Sequence, residues 1–179
     1  QRILADLAGR PFKPVVFFGG FGEPLVHPEI AGMVQKAREV ASRVELITNG
    51  LLLGEKLAAQ LIEAGLDTLW VSLDGASPES YADVRLSESL KSILQNVSRY
   101  RDIYRQSHGG EPEIGAVFVA MKRNIDELPG LLNLSTRIGI TRYMVTNVLP
   151  YTPEMCEEVL YHRSIERLNW QPSSWHPKI

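Results

Sequence analysis

The residues with chemistry to offer stand directly after short apolar runs. Gly19-Gly20-Phe21-Gly22-Glu23-Pro24 follows Val15-Val16-Phe17-Phe18, and it places a carboxylate behind three glycines in four residues. Glycine allows close approach of a ligand to the backbone and tolerates φ > 0. A carboxylate beside such a loop suits an ammonium group, through a charge-assisted hydrogen bond. It does not suit a phosphate: the pattern is not GxGxxG, no GK[ST] follows, and Glu23 would repel an anion. Four more apolar runs end in the same manner: Thr48-Asn49-Gly50, Ser72-Leu73-Asp74-Gly75, Met121 to Asn124, and Asn147 to Pro150. Any one of these could be ordinary turn chemistry, since Gly, Asn, Asp and Pro are what a tight connection needs. Five in succession, led by one that carries an inward carboxylate, point to a site.

The elements that must position these loops follow from periodicity. Val15 to Phe18 is a continuous apolar run of the kind found in buried parallel strands. Pro28 introduces a helix over Glu29 to Ala41, with Ile30, Met33, Val34 and Ala37 at helical spacing. Val44, Leu46 and Ile47 mark a second strand. A helix over Glu55 to Ala64 buries Leu57, Ala58, Leu61 and Ile62 and is capped by Gly65. Thr68 to Leu73 is a third strand, and a helix over about Glu88 to Tyr104 follows it. His108 to Pro112 is a loop, Ile114 to Met121 a fourth strand, Asp126 to Ile138 a helix with Pro129 in its first turn, and Arg142 to Val148 a fifth strand. Glu154 to Leu168 has helical composition, and Asn169 to Ile179 is an extended tail rich in turn signals. Strands alternate with helices at roughly 25–35 residues, the βαβ pattern of a parallel sheet with right-handed crossovers. In such sheets ligands gather at the carboxyl ends of the strands.

Composition sets the bounds. The chain has 179 residues, 44% apolar and 22% charged, with net charge −2. That is enough chain for one domain with its own core, and it gives no bulk attraction for nucleic acid or an acidic membrane. No apolar run approaches the ~20 residues of a membrane span, and Gln1 to Arg10 lacks the build of a signal peptide. The single cysteine, Cys156, excludes an internal disulfide or a CxxC metal site within the chain. The composition fits a cytoplasmic protein.

Phe18-Gly19-Gly20-Phe21-Gly22-Glu23-Pro24-Leu25, with His27-Pro28 behind it, resembles the GGE motif of the radical S-adenosylmethionine (SAM) superfamily. Ile47-Thr48-Asn49-Gly50 and Val71-Ser72-Leu73-Asp74-Gly75 resemble that superfamily's next two strand ends, and Asn124 and Asn147 to Pro150 are similar to the two after. The order and spacing agree from about residue 12 to residue 150. The resemblance implies an α/β fold: a parallel-sheet partial TIM barrel of the (β/α)6 type, occupying residues 1–150, whose strands two to six are the five read above. The first βα unit would be missing. Residues 151–179 would lead toward an absent C-terminal domain. The motif implies that Gly20, Phe21, Gly22 and Glu23 hold the amino group of the SAM methionine. Thr48, Asn49, Ser72 and Asp74 would lie near the ribose or the methionine carboxylate, and Val119 and Val148 would flank the adenine. The resemblance also implies a [4Fe–4S] cluster held by a CxxxCxxC motif. One cysteine cannot bind it, so those ligands are expected N-terminal to Gln1.

The implied chemistry is reductive cleavage of SAM to a 5′-deoxyadenosyl radical, which abstracts hydrogen from a small molecule or peptide. An external donor such as ferredoxin or flavodoxin would supply the electron. A fragment with this content is expected to fold and to be catalytically silent. It is also expected to dimerise through the strand edge that its missing first strand would cover. Leu149 to Met155 and Leu160-Tyr161 are similar to maturases with a SPASM or Twitch domain, among them those associated with tungsten cofactor oxidoreductases. Two other readings compete. One is a non-radical barrel lyase or isomerase using Glu23 or Asp74 as base, with Lys122 as the nearest candidate for a Schiff base. The other is a non-catalytic binding module. Several residues invite bland readings instead. Gly109-Gly110-Glu111-Pro112 repeats the letters GGEP at the wrong end of the barrel and reads as a polar turn. Trp70 reads as core, Cys156 as a surface or packing residue, and Glu157 and Glu158 with Arg163 and Arg167 as a solvated helical face. Trp170 and Trp175 could cover the exposed edge.

Overall fold

A computed structural model describes residues 2–75, 90–150 and 152–160. Its centre is a five-stranded, wholly parallel sheet in the order β1 (Val15–Phe18), β2 (Arg43–Thr48), β3 (Thr68–Ser72), β4 (Glu113–Ala120), β5 (Arg142–Asn147). Strand order equals chain order, so each connection passes over the same face and the sheet curls into a half-barrel. Each strand predicted from the sequence is present, with ends shifted by a residue or two, as boundaries usually are.

Five longer helices provide the cover: α1 (Arg2–Ala8), α2 (Ile30–Val40), α3 (Glu55–Glu63), α4 (Leu90–His108) and α5 (Leu128–Arg137). Their apolar stripes meet the strands in one core. Val34 and Ala37 of α2, Leu61 of α3, Ile93 and Val97 of α4, and Leu131 of α5 are all fully enclosed with Val44, Leu46, Leu69, Val71 and Ile114 of the sheet. Each such side chain contributes roughly 1.5–3 kcal/mol by leaving water. Gly65, at φ +82°, ends α3 as its position beyond the last apolar residue predicts.

Three helices differ from expectation. α1 carries no sequence signal of its own: it has seven residues and no buried side chain, and only Leu4 leans on the core. α4 runs four residues past Tyr104, to His108, because Tyr104 and His108 stack with ring centroids 4.6 Å apart and Ser107 Oγ returns to the Ile103 carbonyl. The predicted helix over Glu154 to Leu168 is, within the described residues, only α6 (Pro153–Glu157). It stops because Glu158 turns back to the β4 loop, where it pairs with Arg123 at 3.1 Å, instead of joining a solvated face. Arg163, Arg167, Trp170 and Trp175 lie outside the described residues.

The concave face of the sheet carries a polar network that periodicity alone did not expose. Arg43, Glu45, Ile47, Thr68, Trp70, Glu113, Gly115 and Arg142 alternate with the core residues and so point away from the helices. Arg43 Nε donates to Glu45 at 2.8 Å and its Nη2 to Thr68 at 2.6 Å, and it also pairs with Glu113. Arg142 reaches Glu113 at 3.0 Å. The Trp70 indole N–H donates to the other oxygen of Glu45 at 2.8 Å. Trp70 is buried, as expected, but it lies flat over the neighbouring strand at Gly115. A Cβ there would come within 2.2 Å of the indole, so only glycine fits.

Candidate functional site

The loop after β1 is built by its glycines. Gly20 has φ +122° and Gly22 φ +107°, a backbone region that L side chains rarely adopt. A Cβ at either residue would meet nothing within 4 Å, so the loop borders open space at both positions. Glu23 then caps the 3-10 turn Pro24–Val26, its carboxylate accepting from the Leu25 N–H at 3.0 Å.

The same carboxylate crosses to the end of β2. Glu23 Oε1 accepts from the Thr48 hydroxyl at 2.7 Å, and Oε2 from the Asn49 N–H at 2.8 Å. Thr48 is buried, and its oxygen in turn accepts from the Gly50 N–H at 2.9 Å. Asn49 Oδ1 accepts from the Leu51 N–H at 3.0 Å, closing a local turn. Asn96 of α4 donates to the carbonyls of Gly50 and Leu51, at 2.9 and 3.2 Å. Glu23 therefore clamps two strand ends together. A carboxylate offers about four acceptor sites, and three are occupied.

A second knot joins the ends of β3 and β4. Asp74, 4% exposed, accepts from the Val119 N–H at 3.1 Å. Asn124, 1% exposed, donates to the carbonyls of Asp74 and Val119 at 3.1 and 3.0 Å and accepts from the Met121 N–H at 2.8 Å. Ser72 is buried at the last position of β3. Val119 and Val148 meet in a small apolar cluster with Met121 and Val159. Thr48, Asn49, Ser72 and Asp74 are thus strand-end residues on β2 and β3, and Val119 and Val148 belong to the ends of β4 and β5. Asn96, Asn124 and Glu158 are site-shaping residues whose roles the sequence did not disclose. Asn124 stood in a noted motif, whereas Asn96 reads as one polar position on a helix.

A groove of about 480 Å³ opens beside the first loop, walled by Phe17, Gly19, Gly22, Glu23, His27 and Met33. A larger depression, about 740 Å³, lies between α4 and α5 on the outer helical surface and includes no strand-end residue. Of the two, the first groove is the one that borders a strand end and its loop, where ligands of parallel sheets gather. Gly109 to Pro112 forms a turn on the far side. Glu111 pairs there with Arg105, whose hydrogen bond holds the Glu111 carboxyl below its ordinary value. Among the described residues no group of three or more His, Cys, Asp or Glu side chains could hold a metal, and Cys156 is exposed. The described residues therefore do not supply the ligands of a cluster.

The profile of the radical SAM superfamily matches residues 2–134. The chain belongs to that superfamily, whose enzymes use SAM together with a [4Fe–4S] cluster. Among individual proteins, it is 32% identical over 166 residues to the tungsten-containing aldehyde ferredoxin oxidoreductase cofactor-modifying protein of Pyrococcus furiosus, covering 92% of this chain and 46% of that protein. It is 28% identical to a probable GTP 3′,8-cyclase of Methanococcus maripaludis, covering 84% of this chain and 50% of the other. Its fold matches that of Streptococcus suis SuiB bound to S-adenosylmethionine with a TM-score of 0.66 at 17% identity, over 87% of this chain and 35% of that one. The chain spans about half the length of the curated relatives it matches. Among the described residues, no helix is long and apolar enough to cross a membrane.

Proposed function

We propose that this chain is the SAM-holding part of a radical SAM enzyme that modifies a peptide or a small molecule, with a ferredoxin- or flavodoxin-like protein as electron donor. The observation that carries the reading is the left-handed backbone at Gly20 and Gly22, open to solvent and held by the Glu23 clamp. Gly20, Phe21 and Gly22 present backbone groups to the methionine amino group, and Glu23 keeps one acceptor site for its ammonium. Thr48 and Asn49 hold Glu23, while Ser72 and Asp74 border the ribose and carboxylate end. Val119 and Val148 give the adenine an apolar wall. Bound SAM supplies the radical chemistry, and the protein supplies binding and orientation. The cluster's thiolates come from outside these 179 residues, since the chain has one cysteine. Residues 1–150 form the barrel unit, and residues 151–179 lead toward a further domain of the SPASM or Twitch kind. The 32% identity to a cofactor-modifying protein favours a maturase.

The lyase or isomerase reading has less support, because Glu23 has three of its about four acceptor sites filled and Asp74 is 4% exposed. Calorimetric titration of SAM into the whole, cluster-loaded protein tests the proposal. Gly22→Ala and Glu23→Ala should each weaken SAM by about tenfold or more. Wild-type affinity in both variants would refute it.

A further inference from the structure

After β5 the chain does not leave the barrel. Thr152 caps α6, its hydroxyl accepting from the Met155 N–H at 3.3 Å, and the helix ends at Glu157. The next two residues dock on the loop after β4. The Glu158 carbonyl accepts from the Lys122 N–H at 3.1 Å. Its carboxylate takes the Arg123 N–H at 3.1 Å through one oxygen and the Arg123 guanidinium at 3.1 Å through the other. Val159, 1% exposed, is driven into the small cluster of Met121, Val148 and the half-buried Val119. Two consecutive residues therefore latch and wedge the loop that follows β4, one by three polar contacts and the other by enclosure.

This loop is shared with the Asn124 knot. Met121 contributes its N–H to Asn124 and its side chain to the Val159 cluster. Val148 is tied to β4 through its own N–H, donated to the Ala120 carbonyl at 3.4 Å. Displacing Val159 would remove the backing of Val148 and Met121 and leave the Val119 end of the sheet unsupported. The first loop, Gly20 to Glu23, stands three strand positions away, about 14 Å along the sheet, and makes no hydrogen bond or ion pair to Glu158.

We infer that Glu158 and Val159 are positioning residues that set the shape of the adenosine end of the site and leave the methionine end unaffected. This rests on the SAM reading above and assigns a role to a segment outside the five strand-end loops. A device of this kind acts on ligands that carry adenosine, whatever the substrate. Glu158 touches neither ligand nor reacting atoms; it acts through Arg123, Lys122 and Met121.

The test uses the whole, cluster-loaded protein, with SAM and 5′-methylthioadenosine as calorimetric probes, the second by competition where it is weak. Glu158→Ala should weaken both by about fivefold, the effect of losing the partly exposed Arg123 ion pair and the acceptor for the Arg123 N–H together. Glu158→Gln, which keeps an acceptor for the Arg123 N–H, should restore about half of that loss on a logarithmic scale. Gly22→Ala should weaken SAM and leave 5′-methylthioadenosine unchanged. Unaltered 5′-methylthioadenosine affinity in Glu158→Ala overturns the inference, as does an equal loss of 5′-methylthioadenosine affinity in Gly22→Ala and Glu158→Ala. SAM binding that 5′-methylthioadenosine fails to compete with also overturns it, because no adenosine subsite would then exist at these residues. A wild-type protein that binds neither probe refutes the SAM reading itself, and the inference falls with it.

Discussion

Replacing Glu23 by alanine removes the acceptor for three donors at once: the Leu25 N–H, the Thr48 hydroxyl and the Asn49 N–H, at 3.0, 2.7 and 2.8 Å. Hydrogen bonds to a charged acceptor contribute roughly 1.5–3 kcal/mol each when enclosed. Glu23 is half-buried, so water can replace part of that at Leu25 and Asn49, but Thr48 is 2% exposed and its hydroxyl loses more. A net cost of about 3 kcal/mol follows for the three together. For a domain of this length, each kcal/mol shifts the melting temperature by about 2–4 °C, so the variant should melt about 6–12 °C lower. Glu23→Gln retains one carbonyl oxygen in place of two carboxylate oxygens and should fall about midway. Thermal unfolding of the three proteins by circular dichroism measures the ranking, and amide exchange at Asn49 reports the clamp directly. A Glu23→Ala melt within about 1 °C of wild type, or unchanged protection at Asn49, would show that the carboxylate does not hold the two strand ends.

Other consequences are as direct. Asn124→Asp turns two donated bonds, to the carbonyls of Asp74 and Val119, into contacts between a carboxylate and carbonyl oxygens at a 1% exposed position. It should cost about 3 kcal/mol or more in urea unfolding, and a cost under about 1 kcal/mol would contradict the knot. Burial raises the Tyr100 phenol well above its ordinary value of 10.0, with Tyr104 adding to the shift. The unfolded chain then loses its Tyr100 proton near pH 10 while the folded one keeps it. This contribution is complete below pH 10 and is lost as pH rises above it. Tyr100→Phe should flatten the fall of stability between about pH 10 and pH 11, and an unchanged slope would rule Tyr100 out. Finally, β1 pairs on one side only among the described residues, with Val15 and Phe17 56% and 47% exposed. We propose that the isolated chain dimerises through this edge; light scattering that finds monomer at high concentration would remove the idea.

The sequence by itself determined the strands, most of the helices and which strand-end loops carry the candidate site. Those features rest on local rules: apolar runs stop where glycine and polar residues begin, and Gly20, Gly22 and Glu23 follow such a run directly. Motif order also made the superfamily legible, because parallel βαβ topology returns each strand end to the same rim of the sheet. The tertiary structure decided what touches what. Nothing in the letters says that Glu23 spends its carboxylate on Thr48 and Asn49, residues 25 and 26 positions away, until β1 and β2 lie side by side. Asn96 reads as a single polar residue, and Asn124 as one letter of a motif, until folding aims both at backbone carbonyls. Glu158 has helical neighbours and reads as helix surface, yet its pairing with Arg123 ends the helix. The alternation of Arg43, Glu45, Trp70, Glu113 and Arg142 became a network only when the curled sheet set four strands edge to edge. Local propensity fixes where elements lie along the chain, whereas the partners of a polar side chain are long-range contacts that only the assembled sheet can define.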